Sequence, residues 1–167
     1  MRPATSIPNF RIERTGPQDV PLILSFIKEL AEYERLAESV TATEDLLREA
    51  LFGERPSAEA VIGYDGDTPV SFALFFHNFS TFIGRPGLYL EDLYVKPALR
   101  GRGIGRAMLR YLAQLAKERG CGRLEWAVLD WNERAIKFYK SLGAAPLAEW
   151  TVFRLTGEAL DKLAAEG

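Results

Sequence analysis

The chain is predicted to fold in the α/β class, in the α+β sense, as a mixed and mostly antiparallel sheet carrying helices. Segments with two-residue apolar alternation and segments with three- and four-residue apolar spacing succeed one another as strand, helix, helix, three strands, helix, strand, helix, strand, helix. Asp65 and Gly66 join two of those strands through a tight turn, which makes them antiparallel neighbours. Further on, a strand, a helix and a strand follow one another as in a crossover between parallel neighbours. With 167 residues and 47% apolar side chains, there is material for one domain that buries roughly 70% of its unfolded surface. That domain is expected over residues 10–167, behind a flexible tail at residues 1–9.

The elements have local causes. "FRIERT", from Phe10, alternates like a short strand. Pro17 to Arg35 carries Val20, Ile23, Phe26, Ile27, Leu30 and Tyr33 on helical spacing, and Pro17 and Pro21 are tolerable only near its first turn. Thr41 and Glu44 in "TATEDLL" have capping-box spacing, so a second helix should start near Thr41 to Thr43. "AEAVIGY" and "PVSFALFFH" read as the arms of the hairpin. In "LYLEDLYV", Leu88 and Leu90 share one parity and Leu93 and Val95 the other, and a bulge near Glu91 and Asp92 would bring both halves onto one core. Ile104, Met108, Leu112 and Leu115 form a helical stripe that Gly120 can end. After a strand at "LEWAVL", Asn132 suits the cap of a helix carrying Ile136, Tyr139 and Leu142, and Gly143 stops it. "WTVFRL" is expected as the last strand and "GEALDKLAAEG" as the last helix.

Charge is balanced globally and segregated locally. A net charge of −2 gives no basic field for nucleic acid or an anionic membrane, so neither is expected as a partner. Yet Glu29 to Glu49 holds seven acids against two bases, and Lys96 to Arg110 holds five bases and no acid. Charge runs of this kind are ordinarily solvated faces, unless chemistry attaches to them. One cysteine, Cys121, allows no internal disulfide and no multi-cysteine metal site, and no metal is expected. With no apolar leader and no apolar run near ~18 residues, a cytoplasmic location is expected. His77, the single histidine, reads as structural at a strand end, and Cys121 between glycines reads as a poor nucleophile.

The basic run contains "RGRGIGR", Arg100 to Arg106. A P-loop would need Lys and Ser/Thr after its last glycine, where Arg106 and Ala107 stand. A dinucleotide fingerprint would need glycine at position 106. Two readings are left: a plain strand-to-helix turn with left-handed positions, or a loop whose backbone N–H groups wrap a pyrophosphate at a helix N-terminus, with arginines adding charge.

The pattern Arg100-x-x-Gly103-x-Gly105 after "EDLYV" resembles the GNAT family of N-acetyltransferases. "IKELAEYE", "TEDLL", "YLEDLYV", "RGRGIG" and "WNERAIKFYKSLGA" follow the order seen in its diamine (spermidine/spermine) and thialysine acetyltransferases, over roughly residues 10–155. The resemblance implies a GNAT-like domain with helices on both faces of the sheet, and a bulged fourth strand that splays from the fifth to leave a cleft for the pantetheine arm. It implies acetyl-CoA as the acyl donor and a homodimer as the assembly.

Residue roles follow from the same resemblance. Leu93, Tyr94 and Val95 are expected along the acetyl-pantetheine arm. Arg100, Gly101, Arg102, Gly103, Ile104, Gly105 and Arg106 are expected to cradle the pyrophosphate, with Asn132 and Arg134 on the cofactor's other side. Tyr139 is an aromatic on an apolar helical stripe and on that ground a core residue. The resemblance makes it the acid that protonates the departing CoA thiolate, and a phenol with pKa near ~10 is protonated at neutral pH. Glu91 and Asp92 read either as surface carboxylates on an edge strand or, if the bulge turns them inward, as acceptors of the amine proton. An alkylammonium near pKa ~10 must lose that proton before it can attack. Glu91 matches the family's acid for this step, and Tyr33, Glu34, Glu91, Asp92, Glu125, Trp126 and Glu149 match amine-pocket positions.

The activity expected is direct attack of a small cationic primary amine (a diamine, polyamine or lysine-like amino acid) on acetyl-CoA in a ternary complex. Two alternatives stand beside it: acetylation of a protein or peptide amine, and a non-catalytic CoA-binding sensor domain that would need neither Glu91 nor Tyr139.

Overall fold

Five strands form one mixed sheet in the order β1-β2-β3-β4-β5: β1 (Phe10–Arg14), β2 (Glu59–Asp65), β3 (Thr68–Ser80), β4 (Arg85–Val95) and β5 (Leu124–Trp126). The computed structural model describes residues 7–167. The tail expected at 1–9 therefore lies outside the described residues up to position 6, and at its end Ile7 is buried. The helices are α1 (Val20–Tyr33), entered through a 3-10 turn at Pro17–Asp19, then α2 (Glu44–Phe52), α3 (Ile104–Glu118), α4 (Glu133–Ser141) and α5 (Gly157–Ala164). They belong to two compact units, Met1–Ala127 and Val128–Gly167.

In the first unit, β1 to β4 are antiparallel neighbours, and β5 lies parallel to β4 after the α3 crossover. Gly66, at φ 60°, makes the β2–β3 turn. The parity slip in "LYLEDLYV" resolves as expected. Ala73 pairs with Leu93 and Leu74 with Asp92, but Phe75 pairs with Leu90, which leaves Glu91 as the extra residue of a bulge. Residues paired across a ladder share a face, so Leu90 and Leu93 point to the same side although their numbers differ in parity. Asp92 and Tyr94, with Leu74 and Phe72, point to the other side.

Each face has its own cover. Val20, Ile23 and Phe26 of α1 and Leu47 and Leu51 of α2 pack with Ile62, Phe72 and Tyr94. Phe26 stacks on Phe72 at 5.3 Å between centroids and meets Tyr94 edge-on at 6.1 Å. Phe26 and Phe72, both fully buried, each stabilise the fold by roughly 1.5–3 kcal/mol. The helix α3 brings buried Ile104, Met108 and Leu112 against the opposite face of β4 and β5. Its C-terminal end is tied to β2 where Arg119 donates to Glu59 at 2.5 and 2.9 Å, and this pairing lowers the Glu59 pKa.

Several expectations need correcting. The second helix is capped by Thr43, whose hydroxyl accepts from Leu46 N–H at 3.2 Å, so Thr41 is not the cap. Capping-box spacing points to Thr41, with the start expected near Thr41 to Thr43, and Thr43 is the residue with extended backbone directly before Glu44. The strand expected at "LEWAVL" is only Leu124–Trp126. No strand forms at "WTVFRL". Apolar alternation there supplies a strand-like side-chain pattern, but a strand also needs an edge that accepts its backbone, and this stretch has no ladder. In the second unit Asn132 does cap α4, accepting from Ala135 N–H at 3.2 Å, and Gly143 ends it at φ 89°.

Candidate active site

The turn between β4 and α3 is built from glycine backbone. Gly101 and Gly103 take φ of 79° and 82°, a region that side chains with a Cβ avoid, and Gly103 is the N-cap of α3. No side chain caps this helix end, and the first helical bond is Ala107 N–H to the Gly103 carbonyl at 3.0 Å. The N–H groups of Ile104, Gly105 and Arg106 therefore precede the first bonded turn, at the positive end of a 15-residue helix. Arg102 and Arg106 stand exposed beside them. Backbone donors, a helix dipole and two guanidinium groups are the donor set a pyrophosphate requires.

A few residues upstream, the electrostatics reverse. The bulge leaves Glu91 exposed and turns Asp92 to the α1 face, half-buried. Burial, then the charges of Glu91 and Glu34, push the Asp92 carboxyl up to about 6. Burial and Glu91 likewise raise the pKa of Glu34, which follows the last residue of α1. Acids from two elements thus crowd one spot, each disfavouring charge on the next. Sequence reasoning missed a neighbour, Tyr89, paired with Phe76 and Glu125 on this same face. Burial, then the charges of Glu91 and Glu125, raise its phenol pKa. The readable signal was its position two residues before the bulge.

Among the described residues of the first unit, the strand between these poles has a sheet partner on one side only. Within the first unit, β5 pairs only with Leu88, Tyr89 and Leu90, so from Glu91 onward β4 has a ladder to β3 alone. Leu93, Tyr94 and Val95 lie on that stretch, where the expected splay places them. Trp126 pairs with Leu90 at its start, on the α3 face, whereas Glu125 pairs with Tyr89 on the acid side. Glu125 is also held by Arg123, Nε to Oε1 at 2.7 Å. Arg100 does not stand apart with Arg102 and Arg106. Its Nε donates to the Val95 carbonyl at 3.0 Å, and its Cζ lies 4.4 Å from the Tyr33 ring and 5.5 Å from that of Tyr94.

The first unit therefore brings together Tyr33, Glu34, Glu91, Asp92, Leu93 to Val95 and Arg100 to Arg106. Asn132, Arg134, Tyr139 and Glu149 belong to the second unit. There Asn132 is a cap, Arg134 is exposed in the first turn of α4, Tyr139 is half-buried on that helix against Phe138, and Glu149 is exposed beyond it. His77 lies 3.5 Å from Arg119, and Cys121 is buried after α3. A cleft of about 440 Å³ between β1 and α3, lined by Phe10, Arg11, Asp67 and Tyr111 among others, includes none of the residues expected in the site. Among the described residues, no helix is long and apolar enough to cross a membrane.

A bulged strand that feeds a glycine turn and an uncapped helix N-terminus defines an α/β protein with backbone donors arranged for an anion at the end of its fourth strand. The chain belongs to the acetyltransferase (GNAT) family, whose model matches residues 24–144, and it is an N-acetyltransferase. It is 43% identical to a thialysine N-epsilon-acetyltransferase of Bos taurus over 86% of this chain and 91% of that one. A thialysine N-epsilon-acetyltransferase of Caenorhabditis elegans is 38% identical, over 95% and 99%. Among solved structures, an integron cassette protein from the mobile metagenome of V. cholerae superposes with a TM-score of 0.79 at 30% identity, over 95% of this chain and 99% of that one. Acetyltransferases of this family use acetyl-CoA in general.

Proposed function

We propose that the protein acetylates the primary amine of a small cationic substrate, a diamine, a polyamine or a lysine-like amino acid such as thialysine, with acetyl-CoA as donor. The observation that carries this reading is the meeting of Glu34 and Asp92, both with raised pKa, beside Glu91 at the bulge. A cationic amine relieves the repulsion among these carboxylates, so the same groups that disfavour one another attract it. The names of the relatives support the same substrate class.

When bound, acetyl-CoA supplies an activated thioester, and the chain's own groups do the rest. The backbone of Gly101 to Arg106, with the side chains of Arg102 and Arg106, would hold the pyrophosphate, and the β4 edge at Leu93 to Val95 would align the pantetheine arm. By the resemblance alone, Asn132 and Arg134 would belong to the cofactor's other side. Tyr33, Glu34, Asp92 and Glu125 would bind and orient the amine, while Trp126 and Glu149 join this set by the resemblance alone. Glu91 accepts the ammonium proton directly or through water, freeing the lone pair for attack. As the bond from the amine nitrogen to the acetyl carbon forms and the carbon–sulfur bond breaks, Tyr139 would give its phenolic proton to the CoA thiolate and Glu91 would take the protons that the nitrogen sheds. A single N-acetyltransferase domain over 10–167 is supported by the family match, which runs from 24 to 144 across both units. A homodimer is supported by the exposed apolar side chains Trp150, Val152 and Phe153. A cytoplasmic location is supported by the single, buried cysteine.

CoA release is to be measured against diamines, polyamines, lysine, thialysine and basic peptides. Release with small amines and little with peptides is expected. Release with peptides alone moves the substrate to protein amines, and none with any amine overturns the enzymatic reading in favour of a CoA sensor. Tyr139→Phe is expected to lower kcat by about ten- to a thousandfold with little change in cofactor affinity.

A further inference from the structure

Arg100 opens the phosphate turn in sequence, yet its side chain is committed to the amine side. The guanidinium donates through Nε to Val95, the last residue of β4, and lies over two rings, Tyr33 at 4.4 Å and Tyr94 at 5.5 Å. Both distances are within cation–π range. Tyr33 is the last residue of α1 and directly precedes Glu34. Tyr94 is two residues from Asp92 on the same face of β4. One planar group thus touches the helix end that carries one raised carboxylate and the strand that carries the other, while its own backbone begins the turn.

One helical turn earlier, a second tie supports the first. Lys96 Nζ lies 3.5 Å from Glu29 Oε1 and 5.6 Å from the Phe26 ring, and Phe26 in turn meets Tyr94 edge-on. Glu29 and Tyr33 are four residues apart, so they stand one above the other on α1. The segment from Tyr94 to Arg100 is therefore fastened to α1 at two levels, and Arg100 is the fastening nearer the acids.

We propose that Arg100 is a positioning residue for the amine rather than a ligand of the pyrophosphate: its stack on Tyr33 and Tyr94 sets the spacing of Glu34 and Asp92 and links that spacing to the phosphate turn. This rests on the amine-acetyltransferase reading above. A lysine cannot replace arginine here, because an ammonium has no plane to lay on two rings and no Nε–H directed at Val95.

The wild-type protein is assayed first against the amine panel, and absence of transfer overturns the function reading and this proposal with it. With wild-type transfer established, the variants decide the positioning role alone. Cofactor Kd is measured by calorimetry with CoA, and amine KM and kcat by CoA release. Arg100→Lys and Arg100→Gln are expected to raise amine KM about tenfold, with cofactor Kd and kcat each within about threefold of wild type. Tyr33→Leu removes the ring and is expected to raise amine KM as well. Because Arg100 reaches the α1 end through Tyr33, Arg100→Gln added to Tyr33→Leu should raise amine KM less than about twofold further, its Tyr94 and Val95 contacts lying within the β4 segment alone. Loss of cofactor affinity by about tenfold or more in Arg100→Lys with amine KM unchanged would make Arg100 a phosphate ligand and overturn the proposal. Additive effects in the double variant, or wild-type amine KM in both Arg100 variants, would overturn it too.

Discussion

The carboxylates at the β4 bulge and the glycine turn at the start of α3 lie within sixteen residues of each other, 91–106, and are opposites in construction as well as charge. The turn is local. Its donors are consecutive backbone groups, its shape comes from two positive-φ glycines, and its surface is exposed. The acid cluster is tertiary: Asp92 comes from β4, Glu34 from the end of α1, and burial is the largest cause of the raised pKa of each. A backbone site can bind an anion without paying for desolvated charge. The carboxylate site holds its groups under mutual repulsion, which a bound cation would relieve.

The largest effect separating the two should come from Gly103→Val. A β-branched residue at φ 82° is strained, and its side chain sits at the N-cap where the phosphates are proposed to be held. Cofactor Kd, measured by calorimetry with CoA, is expected to weaken by roughly a hundredfold through obstruction of the proposed cradle, while strain of about 1–2 kcal/mol falls on folding. The thermal midpoint should fall only by what that strain alone costs. If affinity for CoA survives, the turn is a plain connection and the phosphates bind elsewhere.

How far each region could be read in advance follows the same contrast. The turn was legible because glycine spacing and a following helix are consecutive in sequence. The bulge was legible because period-2 alternation changed parity within "LYLEDLYV", and the structure leaves Glu91 as the extra residue. Asp92 facing Glu34 was accessible only through family resemblance, since no spacing predicts which helix end meets which strand. Tyr89 and the stacking of Arg100 are consequences of that meeting and left no separate trace. "WTVFRL" misled for the converse reason: alternation records a side-chain preference, whereas a ladder needs a backbone neighbour that no local pattern supplies.

Asp92→Asn tests the tertiary pole with an effect on the order of tenfold in activity and roughly 2 kcal/mol in stability. The folded protein holds the Asp92 carboxyl near 6, above the ordinary 3.8, so it binds more protons than the unfolded chain between those values. Stability therefore falls as pH rises through that window, and the cost is fully present above it. Asparagine removes the charge that is disfavoured. Urea melts are expected to show the variant more stable than wild type at pH 8 and no more stable near pH 4. Its kcat/KM for the amine should fall at pH 8, because a cation-binding charge is gone. A destabilised variant at pH 8 would mean that the Asp92 carboxylate is compensated by a partner and that the cluster is not under strain.

The smallest effect is also the most discriminating. Exposed charges are screened once salt shortens the Debye length from about 10 Å at 0.1 M toward about 3 Å at 1 M, and buried ones much less. The phosphate turn is exposed at Gly101, Arg102, Gly103 and Arg106, whereas Asp92 is half-buried beneath the bulge. Between 0.05 and 0.5 M salt, the cofactor KM is expected to rise about threefold and the amine KM by less than twofold. An amine KM that rises as steeply as the cofactor's would place the ammonium among exposed acids such as Glu91 rather than against Asp92. The raised pKa of Asp92 would then describe a stressed core carboxylate instead of the seat of the substrate.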